Sequence, residues 1–229
     1  PRSPRRLALV AALAASAPTA FAAQLDIVAL HPLMADLARQ VGGERVEVHS
    51  LMGAADDVHA FSPTPSQMTR DARADLVLAS GKHLETYLGQ LRDALPSEIE
   101  VIEVGRPIPS LRIGAGDELF VCCPAHSVGG IDPHWWHSVD NMQRATRVVA
   151  DTLGEVDPAG RAAYQQRARA YQRQLDELDG WIRSQLSRIP RGDRKLVTAH
   201  LAFGYFCDEY GFEALPIQGL TRERQATAQ

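Results

Sequence analysis

Three of the eight histidines in this chain stand in contexts that suit metal chemistry. His59 follows Asp56-Asp57-Val58 and precedes Ser62-Pro63-Thr64-Pro65, His134 follows Asp132-Pro133, and His200 follows Thr198-Ala199. Imidazole nitrogen is among the preferred donors of zinc, which takes about four ligands at the corners of a tetrahedron. Histidines this far apart suit a site assembled by folding, unlike a zinc finger with its close-set local ligands. Spacing alone favours a surface or capping role for each of them. The rival use of the same residues is catalysis, because three histidines and an open fourth position can activate a water. Neither H-E-x-x-H, nor G-x-S-x-G, nor a phosphate-binding glycine loop occurs, and no glutamate stands at a fixed short distance as a base. A binding protein is therefore expected, not an enzyme.

The other histidines carry weaker signals. His126 lies in Cys123-Pro124-Ala125-His126-Ser127, a loop near the second motif, and has an auxiliary role at most. His137 follows His134 by three and suits a helix start or the surface. His31, His49 and His83 have no ligand context and are expected to be structural.

The elements that must position these residues begin with short buried strands over 25–30, 45–51, 75–79 and 100–104. Helices are expected over 32–41, closed by Gly42-Gly43, over 64–72 with Pro65 in the first turn, and over 84–95. Strands alternating with helices at this spacing mean a parallel sheet with helices on its faces. Positions 105–116 are a Pro- and Gly-rich loop, and 118–123 is a candidate added strand. All three histidine motifs fall beside strand ends or helix starts, the edge where open α/β sheets bind ligands.

A helix over 138–153 leads to the longest helical stretch, which Asp157-Pro158 opens and which runs to about Ser187. Tyr164, Ala168, Tyr171, Leu175, Leu178, Ile182 and Leu186 recur three or four apart and paint one face. At roughly 30 residues it spans roughly 45 Å, enough to cross between two lobes. A second α/β unit then starts with a strand over 195–198, a helix over 201–210 and a strand over 213–217. A parallel sheet of that size cannot bury both faces, so a chain cut at both ends is expected.

Arg2, Arg5 and Arg6, the apolar run Leu7–Ala15 and Ala20-Phe21-Ala22 form a secretory signal pattern with cleavage after Ala22. The apolar run is too short for a membrane span, which needs about 20 residues. Removing residues 1–22 takes away three arginines and no acid, moving the formal net charge from −4 to −7. An acidic surface argues against nucleic acid and suits the attraction of cations. Cys122, Cys123 and Cys207 are an odd number for an oxidising compartment, and a disulfide from one of the adjacent pair to Cys207 competes with free buried thiols.

The words around the histidines add a resemblance. Leu51-Met52-Gly53 through His59 to Ser66, Ile131-Asp132-Pro133-His134-Trp135-Trp136, and Lys195-Leu196-Val197-Thr198-Ala199-His200 followed by Ala202-Phe203-Gly204-Tyr205-Phe206 resemble three ligand segments of one family. Ser80-Gly81-Lys82-His83-Leu84-Glu85 matches a non-ligand segment of it. The family is the cluster A-I metal-binding proteins, the zinc- and manganese-specific solute-binding proteins of ABC importers, and the segments run in family order. The resemblance implies an α/β fold of two parallel-sheet lobes joined by a long rigid helix, with metal in the cleft between them. It implies His59, His134 and His200 as ligands and an inner-membrane permease with its ATPase as partner. Zinc is expected as cargo, since manganese-type members usually carry Glu at the position of His200 and harder manganese prefers oxygen. Manganese is the alternative cargo, a zinc hydrolase the alternative class. The expected division is a signal peptide over 1–22, an N-terminal lobe over 23–154, a linking helix over 155–189 and the start of a C-terminal lobe over 190–229. A monomer in the periplasm is expected. The family's usual carboxylate ligand would lie beyond residue 229.

Overall fold

The computed structural model describes residues 24–67, 73–113 and 130–217. The signal pattern, the candidate strand at 118–123, His126, Cys122 and Cys123 lie outside the described residues.

Four short strands make the first sheet: β1 (Leu25–Ala29), β2 (Val46–Ser50), β3 (Leu76–Ala79) and β4 (Glu100–Glu103), in the order β2-β1-β3-β4. Every pairing is parallel, with Leu25 opposite Val46, Ile27 opposite Leu76, and Leu76 opposite Glu100. Alternate residues of the central strands serve two cores, as a sheet covered on both faces requires. Ile27, Ala29, Leu76 and Leu78 face α1 (Pro32–Gly42), α3 (Val139–Val156) and α4 (Arg161–Leu186). Val28, Leu30, Val77 and Ala79 face Tyr87, Leu91 and Leu95, around α2 (Leu88–Ala94).

Local chemistry starts and stops these helices. The His31 ring nitrogen Nδ1 accepts from the Leu33 N–H at 3.2 Å and caps α1, with Pro32 in the first turn, where its missing N–H costs nothing. Gly43, at φ 59°, ends it. Ser138 caps α3 through the Asn141 N–H.

The expected helix over 84–95 begins only at Leu88. Lys82 (φ 55°) and His83 (φ 64°) are left-handed, and Glu85 folds back to accept from the Ser80 and Gly81 N–H groups at 2.6 and 3.0 Å. The helix expected from Pro65 is described only over 65–67. The loop expected over 105–116 is described to Ile113, where Arg112 bridges to Ile131.

The long helix is present but starts at Arg161, later than Asp157-Pro158 suggested. Asp157 instead holds the turn between α3 and α4. Its Oδ2 accepts from the Arg45 guanidinium and from the Tyr164 hydroxyl, and Oδ1 from the Gly160 N–H. At 26 residues α4 is about 39 Å long. Tyr164, Ala168 and Leu175 are buried against the first sheet's helices and Ile182 packs against the same core, but Leu178 on that stripe is 43% exposed, and Trp181 off it is 61% exposed. Beyond α4, β5 (Lys195–Thr198) and β6 (Glu213–Pro216) pair in parallel around α5 (Gly204–Tyr210). The helix expected over 201–210 starts at Gly204, after a turn at His200–Ala202. Cys207 on α5 is a buried thiol whose pKa burial pushes up, and the partners considered for it, Cys122 and Cys123, lie outside the described residues. No helix among the described residues is long and apolar enough to cross a membrane.

Candidate metal centre

The three histidines arrive from three places and meet. His59 sits in the loop after β2, where Asp57 Oδ1 accepts the His59 N–H at 3.1 Å. The loop is tightened by Asp56, whose carboxylate accepts the Gly53 N–H at 2.8 Å. His200 follows β5, and the Thr198 hydroxyl donates to its carbonyl at 2.9 Å.

His134 is held hardest. Asp132 Oδ1 accepts both its backbone N–H at 2.9 Å and its ring Nδ1–H at 2.7 Å, and both side chains are almost fully buried. The carboxylate therefore claims the proton on Nδ1 and leaves a lone pair on Nε2, the tautomer a metal ligand needs. Trp135, next along a short 3-10 turn, is fully buried, and its indole N–H donates to Ser80 Oγ at 3.0 Å. Asn141 Nδ2 in turn donates to the Trp135 carbonyl at 3.2 Å.

His134 Nε2 lies 3.2 Å from His59 Nε2. Ring centroids are 5.1 Å apart for His59 and His134, 5.5 Å for His59 and His200, and 5.4 Å for His134 and His200. One ligand atom from each falls within 4.8 Å of the others. Zinc–nitrogen bonds of 2.0–2.1 Å in a tetrahedron put neighbouring nitrogens about 3.3 Å apart, so the His59–His134 pair already has the required spacing. Among the described residues no carboxylate joins these three within that distance.

Two further histidines edge the triad. His31 packs its ring on Trp136 at 5.2 Å and His137 packs on Phe203 at 4.3 Å. Burial, and then the neighbouring His134, pull each of them down to about 4. Both are neutral at pH 7, so neither sets a positive charge in the way of an incoming cation. The structural role expected of His31 is its cap on α1. His137 is mostly buried in the 3-10 turn, so the surface half of its expectation is corrected. His49 is exposed beside Glu47 and Asp26, and His83 occupies a left-handed turn. Sequence reasoning assigned no part to Asp132, although an acid two residues before a candidate ligand was its visible signal. Tyr205 and the Ser80–Glu85 segment carry no chemical signal in the sequence beyond the family resemblance.

Residues 27–229 match the family model of ZnuA, the zinc-uptake complex component A, periplasmic. Among curated proteins the chain is 34% identical over 197 residues to the zinc-binding protein TroA of Treponema pallidum, covering 86% of this chain and 60% of that protein. It is 32% identical to the manganese-binding lipoprotein MntA of Bacillus subtilis, covering 87% of this chain and 62% of the other. The chain thus spans about 60% of the length of these relatives. Among solved structures, TroA of Treponema pallidum superposes with a TM-score of 0.75 at 32% identity, over 90% of this chain and 70% of that one. Parallel sheets, a long helix and collinear motifs agree with that match, and the chain belongs to the ZnuA family of metal-binding solute-binding proteins of ABC importers, cluster A-I.

Proposed function

We propose that the protein captures a zinc ion on His59, His134 and His200 in the periplasm and hands it to the permease of an ABC importer. The observation that carries this reading is the convergence of three imidazoles with the His134 tautomer already set by Asp132. The relatives bear both zinc and manganese names, so the donor set must decide between the two. Three nitrogens favour zinc, which stands well above manganese in affinity for such sites, whereas manganese prefers oxygen. The proposed division follows the sequence: an exported leader over 1–22, a lobe over 23–154, a connecting helix over 155–189 and a second lobe from 190. Binding without catalysis, as a monomer, completes the reading.

Titration of the mature protein against a competing chelator tests it. Zinc should bind one to one, and His59→Ala, His134→Ala and His200→Ala should each weaken it at least 100-fold, while His49→Ala leaves it unchanged. Tighter binding of manganese than zinc, or equal affinity across the four variants, would overturn the assignment.

A further inference from the structure

Near the metal centre a phenol links the part of the chain that bears β5 and β6 to the loops of the first sheet. Tyr205 lies on α5, in the part of the chain that carries His200, and is buried. Its oxygen accepts the Leu111 N–H at 2.8 Å, and its hydroxyl donates to the Asp132 carbonyl at 3.1 Å. The Asp132 N–H donates back to the Leu111 carbonyl at 2.9 Å, which closes a ring of three hydrogen bonds. Burial pushes the phenol up to about 12, so it stays protonated and able to donate.

Gly204, the residue beside it, is shaped to the same partner. A Cβ at Gly204 would stand 2.5 Å from Asp132 Oδ2 and 2.9 Å from Leu111 Cδ2. Asp132 is thus gripped at its backbone by a hydroxyl and at its carboxylate by a bare α-carbon, both from the second lobe. Leu111 itself belongs to a segment pinned to the first sheet. The buried Lys82 ammonium donates to the Ile108 carbonyl and to the Ser110 hydroxyl, each at 2.7 Å.

We propose that Tyr205, with Gly204 beside it, is a positioning residue of the metal centre: it sets the Asp132 carboxylate, and through it the His134 ring, from the lobe that bears His200. The inference rests on the reading of the triad as the metal site. A hydroxyl used as donor and acceptor at once fixes two distances together, so its loss frees the Asp132 backbone and lets the His134 ring drift. Partners that orient a ligand typically change metal affinity 10- to 100-fold when removed.

Tyr205→Phe in the full-length protein removes only this oxygen. Tyr210→Phe is the matched control, since its hydroxyl donates to Asp179 Oδ1 at 3.0 Å, tying the same helix to α4 and not to the His134 loop. Zinc affinity should fall about 10- to 100-fold in Tyr205→Phe and stay within twofold of wild type in Tyr210→Phe. Cobalt substituted for zinc should show shifted visible absorption bands in Tyr205→Phe alone, because the ligand field reports imidazole orientation. Gly204→Ala, which keeps the hydroxyl, should lower affinity in the same direction and serves if Tyr205→Phe does not fold. Equal effects of the two phenylalanine variants, or an unchanged cobalt spectrum in Tyr205→Phe, overturn the inference. If wild type binds zinc and His134→Ala does not, that failure leaves the triad reading standing. A wild type without zinc affinity removes both.

Discussion

At the scale of single residues the centre depends on neutral imidazoles held in one tautomer, and His31 shows what keeping them neutral costs in acid. Burial, then the neighbouring His134, lower the His31 pKa from 6.5 to about 4. Between those values the unfolded chain binds a proton that the folded protein refuses, so stability is full above pH 6.5 and is lost as pH falls toward 4. The loss attached to this one group approaches about 3 kcal/mol at the low end. His31→Asn keeps a capping acceptor for the Leu33 N–H while removing the titration. Denaturant unfolding of the metal-free variant should therefore show a flatter stability profile between pH 6.5 and 4 than wild type. An unchanged acid limb would mean that His31 ionises without penalty. The three histidines that converge were legible from their neighbouring words, whereas the fields of His31 and His137 were not, because those fields come from rings placed by other segments.

At the scale of elements, the segment Ser80–Glu85 acts as a bracket. The Glu85 carboxylate closes on the Ser80 and Gly81 N–H groups, Ser80 receives the Trp135 indole, and Lys82 anchors the loop at Ile108 and Ser110. A helix beginning at Leu84 was the natural sequence reading, since nothing local announces left-handed backbone at Lys82 and His83. That backbone persists because contacts from distant parts of the chain over-determine it. The four parallel strands and α1 were legible because their apolar periods and caps are local signals. Burial raises the Glu85 pKa to about 7 against the pull of its backbone donors, with Glu103 adding to the rise. Here the folded protein holds the extra proton, so stability falls as pH rises from about 4.5 to 7. Glu85→Gln should abolish that decline and leave the variant more stable relative to wild type at pH 8 than at pH 5. Chemical denaturation at the two pH values checks this, and a difference of the opposite sign would contradict a protonated Glu85.

At the scale of the whole molecule, the two sheets differ in how deeply they are covered. All four residues of β3 are fully buried, whereas Val197 of β5 is 60% exposed and Ile217, just past β6, is 54% exposed. Amide protection follows burial and cooperative packing. Hydrogen exchange on a polypeptide of residues 23–229 should show strong protection in β1, β3, α1 and the first half of α4, and weak protection from Lys195 onward. Uniform protection would mean that the second sheet is stabilised by more than the contacts described. The sequence periodicity painted one apolar face along α4. Tyr164, Ala168 and Leu175 bury it and Ile182 packs against the same core, while Leu178 is left 43% exposed, because periodicity says which residues share a face and not how far a neighbour extends.

That long helix also sets the mechanical vocabulary of the protein. Its first half is embedded in one core, and its far end is fastened to the other lobe by Arg194, which donates to the carbonyls of Leu186, Ile189 and Tyr210. Such a strut offers bending and tilting as its soft degrees of freedom. Over the roughly 17 Å of helix from Leu175 to Leu186, a bend of about 3° carries the far end roughly 0.9 Å sideways. Metal–ligand distances tolerate departures of only about 0.2 Å. Leverage alone therefore lets a rotation too small to alter the molecule's outline separate His200 from His59 and His134.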